Sequence, residues 1–258
     1  MKNKLRNILS LPGLLARVSA RFRAVSAPKK TAGAPRGPTS TISLQDCLMC
    51  GIAIFHLKFP SLLRYDTQRH FPRIRHNLIS LYGVSTPPGD TYLRERLDEV
   101  EPTALRPAFQ AVWSALQRGK VLKTFEYWEG HYLLSVDGTG YYSSKEVHCQ
   151  NCCEKKHSDG SLTYYHQLLA ASIVHPDQRV VIPLAPEPIQ KQDGAKKNDC
   201  ERNAAKRLFS TIRREHPRLK LIVVEDGLSS NGPHLQLLED LSMHYIIDRK
   251  STRLNSSH

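Results

Sequence analysis

Apolar residues along this chain recur at two different periods, and the change falls near residue 125. Before it, "ISLQDCLMCGIAIFHLKFPSLLRYD" is apolar with helical breaks and predicts a packed helix closed by Pro60 and a turn at Ser61. "RHNLISLYGVSTPPGDTYLRERLDEV" predicts two short helices around a turn at Gly83, the second capped at its start by Asp90. "LRPAFQAVWSALQRGKVL" is a further amphipathic helix. After residue 125 the pattern turns to strands. Leu133 to Val136 is the first, and "YHQLLAASIVHP" and "RVVIPLAPEPI" are the next two, with Pro183 and Pro186 limiting the last. Their spacing suits antiparallel neighbours. "NDCERNAAKRLFSTIRREHP" returns to a helix, since Ala204, Leu208 and Ile212 recur every four residues and Pro217 stops it. The continuous run Leu221 to Val224 reads as a strand buried on both faces. A helix starting near Pro233 follows, and "HYII" begins one more strand.

Charge adds a partner class to this picture. The 258 residues carry a formal charge of +13, which points to a polyanion, in practice nucleic acid. Residues 1 to 45 hold nine Lys or Arg and no acid. The Pro, Gly and Ser of "SAPKKTAGAPRGPTST" make 1–41 a basic disordered arm able to lie on phosphates; a mitochondrial transit peptide is the lesser alternative. Arg17 interrupts "ILSLPGLLARV" and argues against a secretory signal. No apolar run approaches the roughly 20 residues of a spanning helix, so no membrane partner is expected. Residues 42–125 are expected to form a helical, DNA-binding region. Arg94 and Arg96 would lie on the exposed face of its second short helix and contact DNA. The competing reading is a surface helix salt-bridged through Glu95, Asp98 and Glu99.

Two acids stand out among the strands. In "HYLLSVDGTGYYSS" an apolar run meets Asp137, and Gly138 and Gly140 then allow a sharp turn; in "LKLIVVEDGLSSNGPH" another run meets Glu225 and Asp226 before Gly227. Asp-Gly is a common turn former, which is the ordinary explanation for either acid. Two such steps, 89 residues apart, favour a site. If the two strands are parallel neighbours, Asp137 and Asp226 converge at one sheet edge. Two hard oxygen ligands suit Mg²⁺ or Mn²⁺, and two such ions about 3.5–4 Å apart serve phosphodiester displacement.

Together with "ISLQDCLMCGIAIFHLKFPSLL", "GDTYLRERLDEV", "VDGTGYYSS" and "HPDQRVVIPLAPEPIQKQDGAKKNDCERNAAKRL", the second acid motif gives the chain a family likeness over roughly residues 42 to 247. It resembles the bacterial insertion-sequence transposases of the DDE type. The resemblance implies an α/β fold, a ribonuclease H-like mixed sheet with flanking helices over 126–247, preceded by the α-helical DNA-binding region. It implies that Asp137 and Asp226 are the first and second catalytic, metal-binding acids, with Glu225 the competitor for the second place. It also implies DNA cleavage and strand transfer at the element's terminal inverted repeats and into target DNA, by a dimer on DNA, in the bacterial cytoplasm. The third acid of such enzymes lies beyond the strand begun by "HYII". Residues 248–258, "DRKSTRLNSSH", reverse-translate into a common short-read library adapter. The expectation is therefore a C-terminally truncated chain that does not transpose. The rival readings are a DNA-binding protein of transposase descent without catalysis and a ribonuclease H-like nuclease.

Six cysteines without a signal segment indicate a reducing compartment rather than a disulfide framework. "EVHCQNCCEKKHSDG" offers Cys149, Cys152 and His157 at the spacing of zinc ligands, with His148 and Cys153 in reserve and His166 or Cys200 able to close the site. Cys47 and Cys50 have the same two-residue spacing inside an apolar helix. The alternative is an exposed loop that merely tolerates its cysteines.

Overall fold

The serines that punctuate the first half of the sequence do so by capping helices. In the computed structural model, which describes residues 8–26, 42–191 and 197–248 apart from the side chains of 197–200, the chain divides into two compact units, 1–121 and 122–258. Ser10 caps α1 (Leu11–Phe22) by accepting from the Gly13 N–H, Ser43 caps α2 (Leu44–His56) through Asp46, and Ser61 caps α3 (Leu62–Gln68) through Arg64. Each such cap contributes about 1 kcal/mol. α4 (Pro72–Ser80), α5 (Asp90–Asp98) and α6 (Arg106–Arg118) follow in this unit. The core gathers Cys47, Met49, Cys50, Tyr65, Leu78 and Leu93.

Two expectations change here. The segment read as a basic arm contains α1, whose Leu15, Val18 and Phe22 are buried and which packs against α2 and α6. Burying each such side chain contributes about 1.5–3 kcal/mol, which outweighs the acid-free composition that suggested solvation. Residues 1–7 and 27–41 of that arm lie outside the described residues. Asp90 does not cap α5: Gly89 holds the cap position, and the Asp66 carboxylate accepts from the Asp90 N–H at 3.3 Å.

The second unit is a mixed α/β structure around an eight-stranded sheet. β1 (Glu126–Trp128) turns tightly into β2 (His131–Ser144) through Glu129 and Gly130, both at positive φ (47° and 78°), the backbone of a type I′ hairpin turn. β3 (Cys153–Lys156) and β4 (Leu162–Val174) follow, then the short β5 (Ile182–Pro183) and β6 (Glu187–Ile189). α7 (Lys197–Glu215), β7 (Lys220–Glu225), α8 (Gly232–Asp240) and β8 (His244–Ile247) close the order. The main path through the sheet is β3-β4-β2-β7-β8, with β2, β7 and β8 parallel and β4 antiparallel to β2. β3, β6 and β5 line successive stretches of the far edge of β4.

The strand expected over "RVVIPLAPEPI" is thus two fragments, each with a proline, as the missing N–H groups require. α7 packs on β4 and β6, and α8 on α7 and β8, burying Leu134, Ile173, Val223, Leu208, Phe209 and Leu238. Arg213 ties the helix ends together, donating to the carbonyls of Leu219 (2.9 Å), Leu241 (2.8 Å) and Ser242 (3.1 Å). Among the described residues no helix is long and apolar enough to cross a membrane. Residues 249–258, most of the segment read as adapter-derived, lie outside the described residues.

Candidate carboxylate and cysteine sites

β2 does not end at Asp137. It runs on through Gly138 and Gly140 to Ser144, held by β4 in a ladder from Leu133 opposite Val174 to Ser144 opposite Tyr164, with one register shift between Gly140 and Tyr142. The sharp turn expected at those glycines is absent because β4 is long enough to pair the whole strand. What ends near Asp137 is the parallel partner. Pairing between β2 and β7 finishes with Ser135 opposite Val224, and β7 itself at Glu225. Asp226 is still extended (φ −78°, ψ 172°), so the register carried two residues on brings Asp137 level with Asp226. Neighbouring strands lie about 4.8 Å apart, and residues level with one another in a parallel pair share a face. Both acids are exposed.

A cleft of about 260 Å³ opens at this edge, lined by Asp137, Gly138, Glu201, Arg202, Asp226 and His234 among others. Glu225, the rival second acid, is buried, and its Oε2 lies 2.6 Å from Nε2 of His234 on α8. Asn231 orients that histidine's turn by accepting from the His234 N–H. Among the described residues Asp226 accepts locally, from the Leu228 N–H at 3.0 Å. The two neighbouring acids therefore differ in kind: Glu225 is engaged with a helix, and Asp226 faces solvent. Glu239 is exposed and accepts from the Tyr245 hydroxyl, in keeping with a helix-surface residue.

Glu201 is the residue that sequence reasoning passed over. It sits in the first half of α7, close enough that a methyl group at Gly138 would come 3.0 Å from its Oε1. Gly138 thus serves close approach of a helix and not a turn. The acids at the start of α7 read in sequence only as partners of the helix dipole, and nothing in their spacing signalled the cleft. Arg202 and Lys206, exposed and one turn apart, line an adjoining pocket of about 300 Å³ that shares Asn231 and His234 with the first.

In the helical unit, Arg94 is exposed and 3.4 Å from Asp90, while Arg96 is half-buried and paired with Glu99. Both guanidiniums make the local ion pairs of a salt-bridged helix, and Arg94 retains the more accessible one.

The cysteines separate clearly. Burial in α2 pushes the Cys47 thiol up to about 11 and that of Cys50 up to about 12, and the Tyr65 hydroxyl donates to Cys50 Sγ at 3.3 Å. Neither offers a thiolate near neutral pH. Iodoacetamide is expected to spare both in the native protein and to modify both once it is unfolded; mass spectrometry finding either labelled in the native state would contradict this. In the strand unit, Cys149 Sγ, Cys152 Sγ and His166 Nε2 lie within 4.8 Å of one another. His157, the third ligand expected from spacing, is elsewhere: its Nε2 is 2.7 Å from Thr163 Oγ1. The register explains the exchange. Cys153 pairs with Tyr165, so Cys152 falls beside His166, whereas His157 lies past the opposite end of β3 at a hairpin turn. His148 stacks on Tyr164, and Cys153 Sγ points to the Ile189 carbonyl, so neither joins the cluster. The Cys200 side chain lies outside the described residues.

No protein-family model matches the chain, and no curated protein matches it.

Proposed function

We propose that this chain is a DDE-type transposase with a ribonuclease H-like core, acting on DNA by metal-dependent phosphodiester cleavage and strand transfer at the ends of an insertion sequence. The observation that carries the reading is the parallel pairing of β2 with β7, which sets Asp137 level with Asp226 at the mouth of one cleft. The strand order, with β4 antiparallel on one side of β2 and β7 and β8 parallel on the other, supports the ribonuclease H-like assignment.

Asp137 and Asp226 supply hard, exposed carboxylate oxygens, the donor set that suits Mg²⁺ or Mn²⁺. Bound there, the cation would act as Lewis acid and lower the pKa of an attacking water or hydroxyl. Glu201 adds a third carboxylate to the same cleft, and Arg202 with Lys206 gives a phosphate backbone a place to lie beside it. Of the two arginines of α5, Arg94 is the more exposed and so the better placed for a DNA phosphate. Work of this kind would keep the protein with DNA in the bacterial cytoplasm, as a dimer when two element ends are paired.

The test is incubation with Mn²⁺, supercoiled plasmid and duplexes carrying candidate terminal repeats. Nicking that depends on Mn²⁺ supports the reading. Binding without nicking favours a non-catalytic DNA-binding descendant, and RNA-strand hydrolysis in a hybrid favours a nuclease.

Gly138→Ala probes the part played by Glu201. The new methyl displaces a flexible carboxylate end, so stability is expected to stay within about 1 kcal/mol of the parent, while Mn²⁺ affinity falls. Unchanged affinity would remove Glu201 from the site.

A further inference from the structure

We propose that Cys149, Cys152 and His166 form a structural zinc site that clamps the connection between β2 and β3 onto β4. The proposal is independent of the carboxylate cleft and of any catalytic reading. Its basis is geometric. Tetrahedral zinc, with Zn–S of about 2.3 Å and Zn–N of about 2.0 Å, requires about 3.8 Å between two sulfurs and about 3.5 Å between sulfur and nitrogen. Here the two Sγ atoms are 3.8 Å apart, and each is 3.3 Å from His166 Nε2. Three ligand atoms, two from one loop and one from β4, therefore already lie at the corners of one tetrahedral face.

The surroundings fit a metal better than the alternatives. A disulfide would need the sulfurs about 2.05 Å apart and would leave His166 without a role. Two thiolates and a neutral imidazole balance the charge of Zn²⁺, and their softness excludes Mg²⁺ and Ca²⁺. Tyr141 stacks on His166 with ring planes 11° apart, and Tyr142 packs against it at 5.7 Å, so the imidazole is held in place from β2. The Cys149 N–H donates to Cys152 Sγ at 3.3 Å, the kind of bond that supports a ligating sulfur. Among the described residues these three side chains supply the ligands, and the exposed Cys149 leaves room on its solvent side for a fourth.

The clamp also answers a structural need. Residues 145–152 bury Cys152 but are otherwise largely exposed. They are held by polar contacts such as Tyr142 Oη donating to the Val147 carbonyl at 2.6 Å and Ser144 Oγ accepting from the N–H groups of Glu146 and Val147. An exposed loop of this kind has no core to order it, and a metal crosslink to the middle of β4 supplies the missing constraint.

The full chain, purified under reducing conditions without chelator, is expected to carry about one zinc per molecule by elemental analysis. Cys149→Ser and His166→Asn should each lose it, and His157→Asn should keep it. Zinc-free protein that takes up none on addition would overturn the proposal, as would zinc that survives His166→Asn. Should those variants fail to fold, Co²⁺ titration of the unmodified protein decides. Intense visible bands of tetrahedral, thiolate-ligated cobalt support the site, and the weak spectrum of an octahedral ion refutes it.

Discussion

Asp137→Asn and Asp226→Asn are each expected to lower Mn²⁺-dependent nicking by about a thousandfold or more. A metal acting as Lewis acid and nucleophile generator supplies several kcal/mol of transition-state stabilisation, and each 1.36 kcal/mol lost is about tenfold in rate. Asn keeps the shape of the side chain and removes the charge that holds the cation. Both acids are exposed, so neither change should disturb the fold, and stability should move by about 0.5 kcal/mol or less. Rate measurements paired with circular dichroism separate loss of chemistry from loss of structure. Glu225→Gln is the informative control. Its carboxylate is buried against His234, so this change should cost stability first. A fully active Asp226→Asn beside an inactive but well-folded Glu225→Gln would transfer the second ligand to Glu225.

The largest effect on stability is expected from Leu134→Ala, at about 2–5 kcal/mol. Leu134 is wholly buried in the middle of the sheet, between Ile173 of β4 and Val223 of β7, which are also wholly buried. The cavity left there has packed neighbours on both sides and little room to collapse. Domains are typically stable by about 5–15 kcal/mol, so a loss of this size should shift a urea midpoint clearly. Ile246→Ala on β8 is the comparison, since that side chain is 54% exposed and should lose far less. Equal shifts for the two would contradict the placement of β2 at the centre of the sheet.

How far the residues announced this arrangement depended on whether a segment carried its own period. β7, α8 and β8 were legible because Leu221 to Val224 is continuous and apolar, Pro233 opens a helix, and "HYII" follows it at once. The edge of the cleft was legible for the same reason, as the meeting of two apolar runs with acids. The extent of β2 was not, since Gly138 and Gly140 are turn residues locally and only the length of β4 makes them strand. β1 and β3 have three and four residues, mostly exposed, and so leave no alternation to read. α1 was masked by its basic surroundings, although Leu15, Val18 and Phe22 already had helical spacing. Glu201 and His166 share one cause of concealment: each reaches its site through a tertiary contact, α7 against β2 in one case and the β3–β4 register in the other. Spacing along the chain pointed to His157, whereas register across the sheet selects His166.

If Asp137 and Asp226 hold one divalent cation, titration of Mn²⁺ followed by electron paramagnetic resonance reads it directly, because the free ion is seen whether or not the protein is catalytically competent. The unmodified chain is expected to remove Mn²⁺ signal saturably, Mg²⁺ to compete for the same site, and Asp137→Asn and Asp226→Asn each to weaken binding by about tenfold or more. Saturable Mn²⁺ binding that both substitutions leave unchanged, or no binding by the folded chain, would contradict the account.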